Sequence, residues 1–292
     1  PPSLPARVTA PLPAIEAALD NFITHAPLSP NLRDAVRYAL LGGGKRLRPL
    51  LAWHAAAAVG APDPAVSLPA AVAVELIHAF SLVHDDLPAM DDDDLRRGKP
   101  TLHIHAGEAM AILAGDAMTI LAFQSLDSVA NPSLRAALSR ELSAGTLAMI
   151  VGQVYDTLAG LPPALSPADR VALIHCHKTG ALIRAACRMG AMLGGATDDA
   201  LARITAYADA GGLMFQIVDD ILDVTQPAHA LGKRTGKDAQ AGKATFPAIL
   251  GLDESRAVVD AQRTVAIDAL TSLGRPAAPL IDLAGYMAVR TT

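Results

Sequence analysis

Apolar residues recur at helical spacing along almost the whole chain. Long Ala-, Leu- and Ile-rich stretches are punctuated by Gly and Pro at 27–30, 42–44, 60–64, Pro100, Pro132, 160–163, 194–195 and Pro227. Such residues end or break helices. Runs of strand length that alternate apolar and polar are missing. The pattern predicts an all-α protein of about ten to twelve helices in a single-domain bundle. No repeat of fixed period and no separating linker divides residues 1–292. Five of the first thirteen residues are prolines, so residues 1–11 are expected to be a frayed arm.

Two places break the apolar pattern with carboxylates. Residues 78–100 read HAFSLVHDDLPAMDDDDLRRGKP: an apolar approach delivers Asp85 and Asp86, and Pro88 stops it before the run 91–94. Crowded carboxylates repel one another, and a cation among them relieves that repulsion. The alternative for this run alone is a solvated acidic loop. The second group, Asp219, Asp220 and Asp223, ends the apolar run 212–218. Asp219 and Asp223 lie one turn apart on one helical face. Magnesium takes one or two carboxylates plus water and substrate phosphates, so two such helix ends facing one cleft suit a diphosphate held through metal.

Basic residues follow the same logic. In 42–49, GGGKRLRP, the glycines let backbone approach an anion, Pro49 suits a helix start, and Lys45, Arg46 and Arg48 add charge. A Gly-rich turn with solvated bases is the other reading, and the nucleotide-binding P-loop spacing is absent. His78, Ser81 and Asp85 share a face, which puts an imidazole beneath the aspartates; a satisfied core histidine is the simpler alternative. Phe80 and Ser81 lie five and four positions before Asp85, where a ring can floor a cavity or merely pack. Arg96 and Arg97 offer guanidinium forks for phosphate or local salt bridges. Lys178 falls on the apolar stripe of its helix, so Lys178 and Thr179 are candidates for a phosphate contact, with snorkelling to solvent as the alternative. His175 and His177 read as polar lining, and Asp116 and Gln153 as satisfied polar groups. Lysines alternate with glycines in 231–238 and 242–247, which suits a loop that closes over a diphosphate or a plain solvated loop.

Composition narrows the classes. With 51% hydrophobic and 18% charged residues the chain can bury a large core, and a net charge of −5 argues against general nucleic-acid binding. Cys176 and Cys187 form no CxxC pair, so a reducing, cytoplasmic setting is expected. The apolar runs are interrupted by Glu75, His78, Glu108 or Asp116, so neither a signal peptide nor a membrane span is expected.

Together the motifs resemble the trans-isoprenyl diphosphate synthases, and among them bacterial-type farnesyl diphosphate synthases. The likeness runs from GGGKRLRP through HDDLPAMDDDDLRRGKPT, HKTGALI, FQIVDDILD, LGKRTGKD and GKATFP to the tail 286–290. It implies the isoprenoid synthase fold, helices around a deep central cavity, as a homodimer. It implies three magnesium ions, replaceable by manganese, on Asp85, Asp91 and Asp219 with support from Asp86 and Asp223. Arg96, Lys178, Thr179, Gln216, Lys233 and Lys243 would complete the allylic diphosphate site, and Lys45, Arg48, His78 and Arg97 would hold isopentenyl diphosphate. Asp85, Asp91, Lys178 and Asp219 are thus the expected catalytic group. Phe80 and Ser81 would limit chain length, and the aromatic floor points to farnesyl diphosphate from dimethylallyl and geranyl starters. Geranylgeranyl or geranyl diphosphate synthesis, or a class I terpene cyclase, are the alternatives.

Overall fold

The structure is a computed structural model that describes residues 4–158, 160–225 and 244–290. In chain order its helices are α1 (Ala6–Thr9), α2 (Leu12–His25), α3 (Pro30–Leu41), α4 (Leu47–Ala58), α5 (Leu68–Asp85), α6 (Leu102–Ala106), α7 (Glu108–Gln124), α8 (Pro132–Leu158) and α9 (Pro167–His175). A π turn at Cys176–Gly180 joins α9 to α10 (Ala181–Leu193), and then come α11 (Asp198–Thr225), α12 (Phe246–Leu250), α13 (Leu252–Leu270) and α14 (Ala278–Val289). The all-α expectation holds, and it holds for the reason the pattern gave: apolar stripes at 3.6-residue spacing each need a partner helix.

Two apolar clusters fill the bundle, and α4 and α10 form the wall between them. Leu50 and Leu182 belong to the cluster built on α2, α3, α5 and α7. Their next neighbours Leu51 and Ile183 belong to the cluster built on α11, α13 and α14. Adjacent residues on a helix point about 100° apart, so a helix apolar on two sides can serve two cores. All four side chains are fully buried, each contributing about 1.5–3 kcal/mol by leaving water. The wall is thin because α10 carries glycine where it crosses α4. A Cβ on Gly190 would lie 2.0 Å from Ala52 O, closer than backbones permit.

Two expectations need correction. Residues 4–11 are not frayed: Val8 is fully buried, Arg7 grips Asp282 through both carboxylate oxygens at 2.5 and 2.7 Å, and the His54 ring donates through Nε2 to Val8 O at 2.9 Å. One apolar anchor between two polar ties offsets the disorder that the prolines suggest. Second, a two-stranded hairpin exists, β1 (Leu95–Arg96) with β2 (Lys99–Pro100). Its two turn residues, Arg97 (φ 54) and Gly98 (φ 74), both have positive φ, the condition for a tight hairpin turn that matches strand twist. Strands of two residues are too short to leave an alternating pattern. Pro64–Asp85 and Glu108–Ser128 are long and apolar enough to cross a membrane by length and composition, a test that a buried core helix also passes, and their most apolar 18-residue windows are 67% and 44% buried.

Burial holds the His54 ring below its ordinary titration range, with its bond to Val8 partly opposing. A depressed histidine stabilises the fold while neutral, so this contribution is complete above about pH 6.5 and is lost as the pH falls below it. In thermal melts between pH 8 and pH 5, His54→Gln is expected to lose less stability on acidification than the wild type; parallel losses would remove the tie from the account.

Candidate active site

The apolar helix α5 ends in Asp85, which is half-buried. Past Asp85 the chain turns back on itself: Asp91 N donates to Asp85 O at 2.8 Å and Asp93 N to Asp86 O at 3.2 Å. This fold-back returns the 91–94 run to the helix end and sets the Asp91 charge beside Asp85. Burial pushes the Asp85 carboxyl up to about 6, the Lys178 charge pulls against it, and repulsion from Asp91 adds to it. Asp86 is nearly sealed from solvent, and Arg96 straddles both its oxygens at 2.6–3.0 Å. Arg96 is therefore a partner of the first motif in this structure, and Asp86 faces a guanidinium.

Asp85 stands at the mouth of a cavity of about 370 Å³. Its polar end is formed by Arg48, His78, Lys178 and Thr179, and its apolar length by Phe80, Met149, Ile150, Val154 and Leu158. Phe80 is fixed from behind. Its ring meets the His84 ring edge-on at 5.3 Å, and His84 donates through Nε2 to Ile112 O at 3.1 Å. Gly115 makes room for that imidazole, because a Cβ there would lie 2.1 Å from Nε2. Ser81 also lines this cavity, but its hydroxyl bonds to His78 O within its own helix at 2.9 Å.

A second cavity of about 330 Å³ adjoins the first and shares Arg48 and His78 with it. Lys45, Arg46, Arg97, Glu75, Tyr286 and Arg290 are among its other lining residues. Burial and the surrounding Arg48, Arg97, Arg96 and Arg46 hold His78 well below its usual range, so the ring is neutral. Burial also lowers Arg48, against the pull of Glu75 and Asp219. The Nε atoms of Arg48 and Arg290 are buried without a hydrogen-bond partner. Orphaned buried donors of this kind are costly, and an anion with several acceptor oxygens satisfies them. Lys45 Nζ lies 5.7 Å from the centre of the Tyr286 ring. The Arg97 guanidinium lies across the 43–44 backbone, bonded to Gly43 O; a Cβ on Gly44 would come within 2.7 Å of it.

Arg46 departs from expectation. It adopts a left-handed backbone (φ 51) ahead of α4, and its buried guanidinium bonds Glu16 at 2.6 Å and Glu75 at 2.8 Å. Its charge is consumed inside the protein, because a glutamate buried on α5 needs a cation more than a solvated ligand does. Arg46 therefore holds the loop, and Lys45 and Arg48 on either side of it face the cavity.

Lys178 and Thr179 sit in the π turn between α9 and α10, a widening of the helix often found at functional sites. The turn packs directly on Gly152 of α8, where a Cβ would lie 2.2 Å from Lys178 N. Lys178 Nζ donates to Asp156 Oδ2 at 2.7 Å, and Thr179 Oγ1 to Gln216 Oε1 at 2.8 Å. On α11, Asp219 accepts from Arg290 Nη2 at 2.5 Å, and that guanidinium lies 3.9 Å from the centre of the Phe215 ring. His177 donates to Leu173 O at 2.9 Å and does not line the cavity; His175 is buried against Asp220. Lys233 and Lys243 lie outside the described residues.

Among the described residues no three ligating groups converge into a ready-made metal cage. Magnesium needs none, since it keeps water and shares phosphate oxygens with one or two carboxylates. The donors here are all hard carboxylates, and half-buried Asp85 beside Asp91 lacks a full counter-charge, so the residues fit a divalent cation. Asp85, Asp91, Asp219 and Asp223 would hold it. Sequence reasoning missed Asp156, and it named Glu75, His175 and the tail to Arg290 without their partners Arg46, Asp220 and Asp219. The charge of Lys178 on an apolar stripe did demand an anion, and Asp156, one turn beyond Gly152 on α8, supplies one.

The raised Asp85 carboxyl fixes the sign of a pH effect. Its folded value lies above the ordinary 3.8, so the charged form destabilises the metal-free protein above about pH 6, and the penalty fades as the pH falls toward 4. Asp85→Asn is expected to raise the melting temperature of the metal-free protein at pH 8 and to do so much less at pH 5, while lowering Mg²⁺ affinity measured with inorganic diphosphate. An equal gain at both pH values would show that Asp85 carries no such penalty.

Comparison with known proteins agrees with this geometry. The family model described as polyprenyl synthetase matches residues 29–271. The chain is 48% identical over 286 residues to "Geranylgeranyl pyrophosphate synthase 11, chloroplastic" of Arabidopsis thaliana, covering 95% of this chain and 79% of that protein. It superposes on an FPP/GFPP synthase from Zymomonas mobilis with a TM-score of 0.83 at 34% identity, over 97% of this chain and 99% of that one. It also superposes on a geranylgeranyl pyrophosphate synthetase from Pyrococcus horikoshii, with a TM-score of 0.86 at 29% identity and 98% coverage of each. Two acidic helix ends, a basic glycine loop and an apolar cavity between them thus have a common explanation: the chain belongs to the polyprenyl synthetase family, the trans-prenyl diphosphate synthases.

Proposed function

We propose that this prenyltransferase joins isopentenyl diphosphate to an allylic diphosphate whose prenyl tail lies in the 370 Å³ cavity. The observation that carries this reading is the pair of adjoining cavities that share Arg48 and His78. Lys178 and Thr179 hold the allylic diphosphate at the mouth, and Lys45, Arg48 and Arg97 hold the second diphosphate. Asp85, Asp91, Asp219 and Asp223 would hold magnesium, which when bound would supply positive charge against the leaving diphosphate. Ionisation of the allylic carbon–oxygen bond gives a delocalised cation, the isopentenyl double bond attacks it, and the departing diphosphate takes the proton released. Phe80, Met149, Ile150 and Val154 keep water from the cation, which water would quench. His78, held neutral, donates a hydrogen bond between the two anions without drawing either away from its own site.

The product reading follows the relatives first. The names of the Arabidopsis and Pyrococcus proteins favour geranylgeranyl diphosphate, twenty carbons. A second reading, farnesyl diphosphate, is favoured by Phe80 on the cavity wall and by the wall's length. From Leu158 to Met149 α8 rises about 13 Å, and an extended fifteen-carbon chain of eleven backbone bonds is also about 13 Å long at the rise of an extended chain. Purified protein with Mg²⁺, labelled isopentenyl diphosphate and a geranyl starter decides. A twenty-carbon wild-type product upholds the first reading, whereas a fifteen-carbon product that lengthens in Phe80→Ala upholds the second. Hydrocarbon released from a prenyl diphosphate alone would mean cyclase chemistry and overturn both.

A homodimer belongs to the same proposal. Leu147, Ile150 and Val154 repeat at i, i+3 and i+7 along α8 and are exposed, as are Ile112, Leu113 and Ile120 on α7. Ile150 and Val154 also line the tail cavity, so a second copy laid on this largely apolar face, which exposed Asp116 interrupts on α7, would close the cavity side as well as bury the stripe. Light scattering after gel filtration is expected to give the mass of two chains. Leu147→Lys should yield a monomer with a broadened product distribution; a monomeric wild type would sink the proposal.

A further inference from the structure

His175 touches neither cavity, yet it joins the elements that carry the site. It is the last residue of α9, directly before the π turn that bears Lys178 and Thr179. The ring is 7% exposed and donates through Nε2 to Asp220 Oδ2 at 2.8 Å, and Asp220 is 3% exposed. The same oxygen accepts the backbone N–H of Phe246 at 3.0 Å, and the Phe246 ring stacks on the imidazole at 5.6 Å and 26°.

This contact is the last rung of a ladder. Gly212, Gln216 and Asp220 repeat every four residues, so they form one stripe on α11. At the first rung Gly212 abuts Gly180, where a Cβ would lie 2.7 Å from Gly180 Cα. At the second, Thr179 bonds Gln216 at 2.8 Å; at the third, His175 bonds Asp220. The third rung alone lies within the turn that holds Asp219 and Asp223. It is also the rung with a buried carboxylate, whose satisfied hydrogen bonds fix geometry more firmly than packing does.

We infer that His175 is a positioning residue which, through Asp220, sets the height and rotation of the Asp219–Asp223 turn against the turn that carries Lys178. Lys178 and both aspartates then meet one diphosphate. The inference rests on the function proposed above. Partners that orient metal ligands without touching the metal typically change metal affinity or activity about 10- to 100-fold when removed. His175→Phe keeps the ring and its stacking on Phe246 but loses the N–H; His175→Gln keeps a donor at nearly the same reach.

The test is calorimetric titration of Mg²⁺ into the full-length protein with inorganic diphosphate, together with steady-state condensation. His175→Phe is expected to weaken Mg²⁺ binding at least about tenfold and to lower kcat, while KM for isopentenyl diphosphate, held across the other cavity, changes less than about twofold. His175→Gln is expected to recover most of the Mg²⁺ affinity. Wild-type Mg²⁺ affinity in a folded His175→Phe protein would overturn the inference, and so would equal losses in both variants that merely follow their melting temperatures. Should the Phe variant fail to fold, His175→Asn, whose amide is too short to reach Asp220, takes its place under the same criteria. A wild type that binds Mg²⁺ and diphosphate but condenses nothing would refute the proposed reaction, while the titration would still decide the role of His175.

Discussion

Every part of this site answers to one constraint: carboxylates placed at the partly buried ends of apolar helices must have positive charge near them. Isolated charge in a protein interior is expensive, and the protein meets that cost internally before any ligand arrives. Arg96 lies on Asp86, Lys178 on Asp156 beside Asp85, and Arg290 on Asp219. Each of these cations is drawn from a different part of the chain. The result is a ring of ion pairs around a cavity mouth, in which the same groups suited to bind a metal diphosphate hold one another in its absence. Under the proposed function, binding would exchange these partners, cations moving to phosphate and carboxylates to metal, and Asp85, which lacks a full counter-charge beforehand, would gain most.

Such an exchange needs a frame that does not yield, and the frame comes from small residues. Gly190 lets α4 and α10 touch through backbone, Gly152 lets the π turn lie on α8, and Gly212 lets α11 meet Gly180. Close backbone approach leaves little room for helices to slide, so the heights of Lys178, Asp85 and Asp219 are fixed by contacts remote from the charges. The wide π turn carries Lys178 out of the apolar stripe and toward the mouth. In an unbroken α-helix that side chain would have to follow the stripe into the core.

Much of this was legible in the residues. Apolar periodicity gave the helices, because burial of a stripe is a local property of sequence. The two acidic groups and the glycine loop stood out, since like charges and triple glycine are both unfavourable without a ligand or a special conformation. What escaped was pairing over distance. Arg46 and Arg48 look alike in sequence and both line the second cavity, but Arg46, on a left-handed backbone, is spent on Glu16 and Glu75 while Arg48 Nε is left without a partner. Asp156 and Arg290 were illegible for the same reason: each matters through a partner more than 20 residues away. The hairpin 95–100 was invisible because two paired residues have no period. The ordered arm rests on single contacts of Val8 and Arg7 that no local pattern encodes.

The two cavities show why the shared residues differ in charge. Arg48 lines both spaces, so under the proposed function its charge would attract either diphosphate and draw the two anions together. A second fixed cation at the same boundary would bind both anions more tightly in every state, including after reaction, and uniform binding does not lower a barrier. His78, held neutral by burial among four arginines, lines the boundary without adding to that attraction. Its neutrality is a consequence of its neighbours: crowding of Arg46, Arg48, Arg96 and Arg97 around one imidazole makes a further positive charge there the least favourable of all. The boundary thus carries one charge and one neutral donor, and under the proposed function most of the fixed positive charge would act at the mouth, where the allylic bond would break.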